Sequence, residues 1–254
     1  MSEERRRGRA LHRIRHHSVA WFRRMVGVVG QLELSVLVAA AMAVSGAWLF
    51  IVLAGLVAGG GAQRIDEQLM LALRQTEDVR VPIGPLWLRD VALDITTMGG
   101  GLVLTLLSLI IAGYILLQRR YGALVLLVLA SSGGALLNAA LKATFARHRP
   151  TVVPALVPAL SSSFPSGHAM SSAAIYLSLA VLVAGLTPHR RDRVYVLAVA
   201  LTLTFFVGLS RVYLGVHYPS DVLAGWTAGI VWALICWLAV RTAPRLMARL
   251  SRSS

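Results

Sequence analysis

Four short groups of polar residues stand at the edges of long apolar runs in this 254-residue chain. The first is Lys142, followed by Arg147, His148, Arg149 and Pro150. The second is Pro165-Ser166-Gly167-His168, the third Ser210-Arg211, and the fourth runs from His217 to Asp221. Lys142, Arg149 and Arg211 offer three cations, two of them guanidinium forks that match phosphate oxygens. Pro165 to His168 reads as a turn opening a helix. Gly167 lets the backbone come close to a ligand, and the free N–H groups and dipole of the helix end favour an anion. Asp221 falls in the first turn of a helix that Pro219 can start, within reach of an imidazole N–H of His217. Such a His–Asp pair sets the tautomer and leaves the other ring nitrogen free to attack phosphorus. A second histidine, His168, can protonate the departing oxygen. Three cations and a helix amino terminus would then stabilise the equatorial oxygens of a phosphoryl-transfer transition state.

Each of these residues also has a plainer reading. A lone Lys142 or Arg149 at the end of an apolar helix is ordinarily an interfacial anchor. A lone His168 is more often a helix-end or packing residue, and His217 with Asp221 can be a structural hydrogen bond. Arg147 and His148 read as solvated loop residues. His and Asp can also ligate zinc, but three cations beside a dication repel it, and only one carboxylate is in the set. The single cysteine, Cys236, allows no disulfide within the chain and no cysteine metal site.

The elements that must position these residues are membrane helices. The chain is 57% hydrophobic and 14% charged, where a soluble domain carries about a quarter charged residues. Stretches free of Asp, Glu, Lys and Arg give six spans, near 34–58, 99–117, 122–141, 168–186, 194–210 and 222–240, against the roughly 20 apolar residues a crossing needs. The fifth is the shortest. The expected organisation is a basic cytoplasmic arm (1–33), a six-helix transmembrane domain (34–240) and a basic tail (241–254). Residues 60–98 are mixed in sign, and Ile65, Leu69 and Leu73 recur every four residues, which predicts a short amphipathic helix on the outer surface. Pro82 and Pro85 interrupt this segment.

Even-numbered crossings place about two thirds of the 25 Lys and Arg on one side, together with both termini. The positive-inside rule puts that side in the cytoplasm. The four polar groups then share the extracytoplasmic face, a convergence that the span count did not presuppose. The same asymmetry accounts for the net charge of +14 without nucleic acid as a partner. Runs of small residues, Gly99-Gly100-Gly101 and Ser131 to Gly134, permit close helix packing within or between chains, and so a homo-oligomer.

At these positions the chain resembles the type 2 phosphatidic acid phosphatase superfamily. That family is recognised by Lys-x6-Arg-Pro, Pro-Ser-Gly-His and Ser-Arg-x5-His-x3-Asp. All three blocks are complete, in order and correctly spaced, at Lys142 to Pro150, Pro165 to His168 and Ser210 to Asp221. The resemblance implies an all-α core of six transmembrane helices and a phosphatase that needs no cofactor. It implies that His217 forms a phosphohistidine, that Asp221 orients it, and that His168 is the general acid and later the base for water. Lys142, Arg149, Arg211, Ser166 and Gly167 would hold the phosphate. The substrate expected at an outward site reached from a bacterial inner membrane is a lipid phosphate or diphosphate: phosphatidic acid, phosphatidylglycerol phosphate or undecaprenyl diphosphate. Two rivals remain, a phosphotransferase using the same site and a non-catalytic lipid-phosphate carrier. The carrier would not need both histidines and the carboxylate. None of the motifs reads the lipid, which leaves selectivity to residues 60–98 and the span surfaces.

Overall fold

The computed structural model describes residues 33–159 and 161–250, with side chains described as far as residue 243. The expected basic arm therefore lies almost wholly outside the described residues. By compactness the chain divides after Ala39. The first unit ends in the opening turns of helix α1 (Leu34–Ala58), and the second runs from Ala40 onward.

Among the described residues the protein is all-helical. After α1 come α2 (Gln63–Leu71), α3 (Leu86–Met98), α4 (Gly101–Leu117), α5 (Tyr121–Val128), a π-turn at Leu129–Gly133, α6 (Gly134–Phe145), α7 (Gly167–Ala184), α8 (Arg190–Tyr213) and α9 (Pro219–Leu250). Among the described residues five stretches are long and apolar enough to cross a membrane: α1, α5 with α6, α7, α8 and most of α9. The α3–α4 pair, bent by 46°, makes a sixth if it is one span. The expected span 99–117 is thus the second limb of a broken helix, whose first limb carries Arg89, Asp90 and Asp94 and so escapes a count of uncharged residues. The fifth span, short by that count, is a 24-residue helix, because Arg190–Arg193 at one end and Arg211 at the other belong to it.

Helix α7 is the centre of the fold. Its sequence, rich in Ala and Ser, is buried on every side, from Ala169 and Met170 through Ala173, Ala174 and Tyr176 to Ala180. A helix apolar or small all round has no solvent face and packs inside others. Helices α8 and α9 flank it. On α9, Gly225 and Gly229 lie against α7; a β-carbon on Gly225 would sit 2.6 Å from the Ser166 carbonyl oxygen, and one on Gly229 would collide with the Met170 carbonyl. Only a glycine lets the two backbones approach so closely, as in other small-xxx-small seams. The π-turn has its own purpose in packing. Trp232 of α9 lies over Gly133 and donates its indole N–H to the Leu129 carbonyl at 2.9 Å, at the start of the widened turn. Tyr176 Oη donates to the Met98 carbonyl at 2.6 Å and ties α7 to the end of α3.

The loop between α6 and α7 is fixed from beneath by an aromatic cluster. Phe164 is fully buried, with ring centroids 5.0 Å from Phe145 and 5.9 Å from Phe50. Pairs at such spacings add about 0.5–1.5 kcal/mol each beyond the area they bury. The chain then enters α7 through Pro165, with a cis peptide between Phe164 and Pro165.

Candidate functional site

One end of the bundle gathers the ends of four elements. Lys142 is in the last turn of α6, Ser166 to His168 open α7, Arg211 is in the last turn of α8, and Asp221 is in the first turn of α9. The connections deliver the rest. Ala146 adopts a left-handed conformation (φ 41°) at the end of α6, which an L residue does at some cost, and turns the chain into Arg147–Pro150. Gly215 (φ 76°) supplies the turn before His217, in a region of backbone space that glycine enters freely.

His217 is 2% exposed and lies between two kinds of partner. Its Nε2 is 3.4 Å from Arg149 Nη1. Its Nδ1 is 3.5 Å from Ser163 Oγ and 3.6 Å from Asp221 Oδ2, close but beyond a formed N–H···O bond. Ser163 Oγ itself donates to Asp221 Oδ2, and the Tyr218 N–H donates to the same oxygen at 3.0 Å. The hydroxyl thus stands beside the direct line from imidazole to carboxylate. Burial drives the imidazole pKa down to about 4; Arg211 and Arg149 act in the same direction, and Asp221 opposes them. His217 is therefore neutral at pH 7, with a nitrogen lone pair available.

Two of the three cations are held by carbonyls and the third by a hydroxyl. Lys142 Nζ donates to the Ser162 carbonyl, and Ser162 Oγ returns a bond to the Lys142 carbonyl at 3.0 Å. Arg149 donates to the Val216 carbonyl at 2.6 Å and the Ser161 carbonyl at 2.8 Å. Burial lowers its pKa, and Asp221 partly offsets that. Arg211 Nη1 donates to Thr96 Oγ1 at 2.8 Å, which brings α3 into the site. His168 has Arg211, His217, Arg149 and Lys142 around it. A β-carbon on Gly167 would lie 3.6 Å from Lys142 Cε and 3.0 Å from Asn138 Nδ2. Two buried polar atoms here, Ser166 Oγ and Arg211 Nε, have no protein partner, and Asn138 Oδ1, one turn before Lys142, is a third. Unpartnered buried polar atoms are uncommon in folded proteins. Here three of them surround the amino terminus of α7.

The structure brings together all eight residues that the sequence singles out: Lys142, Arg149, Ser166, Gly167, His168, Arg211, His217 and Asp221. It corrects the reading of Arg147. That side chain is 12% exposed and bridges two buried carboxylates, Asp221 at 2.6 Å and Asp66 at 2.9 Å. Burial would lower its pKa, but the two carboxylates outweigh that and raise it. His148 is exposed. Four further residues have no motif to announce them: Asp66, Ser163, Thr96 and Asn138. Only Asn138 carries a weak signal, its four-residue spacing before Lys142 on one helix face. Among the described residues no group of three or more His, Cys, Asp or Glu is placed to hold a metal ion. A cavity of about 750 Å³ lies at the opposite end of the bundle, lined by residues such as Tyr114, Leu126, Leu179 and Trp237, and none of the site residues reaches it.

A bundle of membrane-spanning helices with histidines, cations and a carboxylate converging at one end defines a class, the membrane phosphatases of the PAP2 type. The comparisons agree. Residues 121–245 match the family model described as the PAP2 superfamily. Phosphatidylglycerophosphatase B of Bacillus subtilis is 34% identical over 185 residues, covering 72% of this chain and 86% of the relative. The crystal structure of a transmembrane PAP2-type phosphatidylglycerolphosphate phosphatase from Bacillus subtilis superposes with a TM-score of 0.67 at 31% identity, covering 77% of this chain and 94% of that one. A lipid A 1-phosphatase of Rhizobium johnstonii is 37% identical over 89 residues, 32% of each chain. The chain belongs to the PAP2 superfamily and is an integral membrane phosphatase.

Proposed function

We propose that this protein hydrolyses the phosphate of a membrane lipid through a phosphohistidine on His217. The observation that carries the reading is the orientation of that imidazole: one nitrogen turned to Ser163 and Asp221, the other to Arg149. With the proton on Nδ1, the Nε2 lone pair attacks phosphorus and the ester P–O bond breaks. His168 gives its proton to the departing oxygen. Asp221 stabilises the imidazolium that results. Lys142, Arg149, Arg211, the Ser166 hydroxyl and the backbone N–H of Gly167 neutralise the equatorial oxygens as charge builds on them. Ser166 Oγ and Arg211 Nε, which lack protein partners, suit that task. In the second step His168 takes a proton from water, the water oxygen attacks phosphorus, the P–N bond breaks, and inorganic phosphate leaves.

Phosphatidylglycerol phosphate is the first substrate to test, because the relatives that share most of the chain's length are named for it. Phosphatidic acid and undecaprenyl diphosphate are the comparators. The distribution of Lys and Arg supports cytoplasmic termini and an extracytoplasmic site. The decisive experiment measures inorganic phosphate release by purified protein in detergent micelles, with chelator in excess and His217→Ala as control. Release that survives chelation and is lost in the variant is expected. Full release by His217→Ala would remove the histidine from the reaction, and release only with an added alcohol acceptor would make the protein a transferase.

A further inference from the structure

Helix α2 turns its charged face to the site. Ile65 and Leu69, the apolar stripe, are 60% and 49% exposed, whereas Asp66 and Met70 are 2% and 1% exposed. Asp66 Oδ2 accepts from Arg147 Nη2 at 2.9 Å, and Gln63 Oε1 accepts from the same nitrogen at 3.1 Å. The other fork of Arg147 donates to Asp221 Oδ1 at 2.6 Å and to Ser220 Oγ at 2.8 Å. Its guanidinium carbon lies 4.2 Å above the Tyr218 ring. Asp66 also accepts from the Ser220 N–H at 2.9 Å and the Ser220 hydroxyl at 2.5 Å, and Gln63 Nε2 donates to Tyr218 Oη at 3.0 Å.

The two oxygens of Asp221 therefore have separate partners. Oδ2 serves Ser163, the Tyr218 N–H and the His217 side; Oδ1 serves Arg147. A carboxylate held at one oxygen alone can rotate, and its aim at the imidazole is lost. We propose that α2 is part of the catalytic apparatus, with Asp66, steadied by Gln63, holding Arg147 on Asp221 as a positioning residue for the Asp221–His217 pair. This rests on His217 being the nucleophile. A buried Asp–Arg–Asp triad is a poor device for stability alone, since desolvating the charges offsets much of their attraction. Its value lies in direction: a planar fork fixes two carboxylates at once.

The test compares kcat, KM and the pH dependence of kcat/KM for the full-length protein in micelles of phosphatidylglycerol phosphate. The variants are Arg147→Met, Arg147→Lys and Asp66→Asn, with His217→Ala alongside. The titratable groups facing the His217–Asp221 pair are Asp221 itself, Arg149 and Arg147 from the loop after α6, Lys142 from α6, His168 from α7 and Arg211 from α8. Removing the Arg147 charge leaves Asp221 less neutralised and an imidazolium at His217 easier to form, so the acid limb moves to higher pH in Arg147→Met. Its kcat falls by about 10², the cost of a misplacement near 1 Å, with KM little changed because the phosphate-holding cations are intact. Arg147→Lys keeps the charge and loses the fork; its acid limb stays in place and its kcat lies between those of the methionine variant and wild type. Asp66→Asn leaves Arg147 balanced by Asp221 alone, so its acid limb does not rise, while kcat falls. An unmoved acid limb in Arg147→Met, with activity lost only in proportion to the yield of monodisperse protein, would reduce the triad to a fold-stabilising contact and overturn the proposal. Wild-type kcat in both Arg147→Met and Asp66→Asn would do the same. Activity in His217→Ala would instead strike the nucleophile itself, and so separates the two failures.

Discussion

Residues 142–221 and residues 63–98 both send polar groups to the same site, and they do so in different ways. The first region supplies the side chains that the proposed mechanism sets against the phosphate: Lys142, Ser166, His168, Arg211, His217. The second supplies side chains that hold those residues, or a residue bonded to their partners, from behind. Asp66 grips Arg147, and Thr96 accepts from Arg211. Groups that meet the substrate are restricted to a few chemistries and spacings, so they form motifs. Groups that only orient another side chain can come from anywhere in the chain, provided the geometry closes.

The contrast can be broken at several strengths. His217→Ala is expected to lower kcat by about 10³ or more, because a nucleophile has no substitute nearby; a residual rate near wild type would move the chemistry elsewhere. The intact enzyme should keep its kcat/KM as the pH is lowered through the ordinary imidazole range. Its decline should come towards a pH of about 4, where the buried His217 takes up a proton and loses its lone pair. A decline centred near pH 6.5, the usual imidazole value, would mean that substrate or lipid reaches His217 with solvent. Ser163→Ala removes the hydroxyl beside the imidazole–carboxylate line and should cost about 1.5–3 kcal/mol, or roughly 10- to 100-fold in kcat, as for other hydrogen bonds to a charged group. Thr96→Val should act on KM, raising it about fivefold for a lost bond of about 1 kcal/mol, since Arg211 keeps its charge but loses its anchor. Ile65→Ser, on the exposed stripe of α2, should leave turnover unchanged and stability within about 0.5 kcal/mol. A large effect there would mean that the exposed stripe has a partner of its own.

Much of the site was legible in the sequence, and the reasons are physical. Phosphate needs cations and helix-end N–H groups, and transfer needs a nucleophile and an acid, so Lys142 to Asp221 announce themselves by type and spacing. The helices were legible because a membrane crossing demands an apolar run. Counting charge-free residues failed where a charge belongs to a helix, as with Arg211 at the end of α8 and Arg89 to Asp94 in α3. Arg147 was misread because a cation two residues from a recognised one looks solvated; its burial depends on Asp66, some 80 positions earlier, and no local pattern encodes that pairing. Ser163 lay among three serines, and nothing in a run of Ser161, Ser162 and Ser163 says which hydroxyl meets Asp221. The apolar stripe of α2 was visible, but not that its other face would be the buried one.

The glycine seam between α7 and α9 bears on how the molecule opens. Ser166 and Met170 present their carbonyls to Gly225 and Gly229, and the Ser166 N–H is bonded to the Asp221 carbonyl. The amino-terminal end of one helix and the carboxylate-bearing end of the other are thus fastened along a common line. Neither can fray without the other. Local opening, which in most proteins begins at helix ends at little cost in free energy, is here coupled to the central core. Amide protons of Met170 and of the first turns of α9 should then exchange with solvent together and slowly, on the clock of global unfolding.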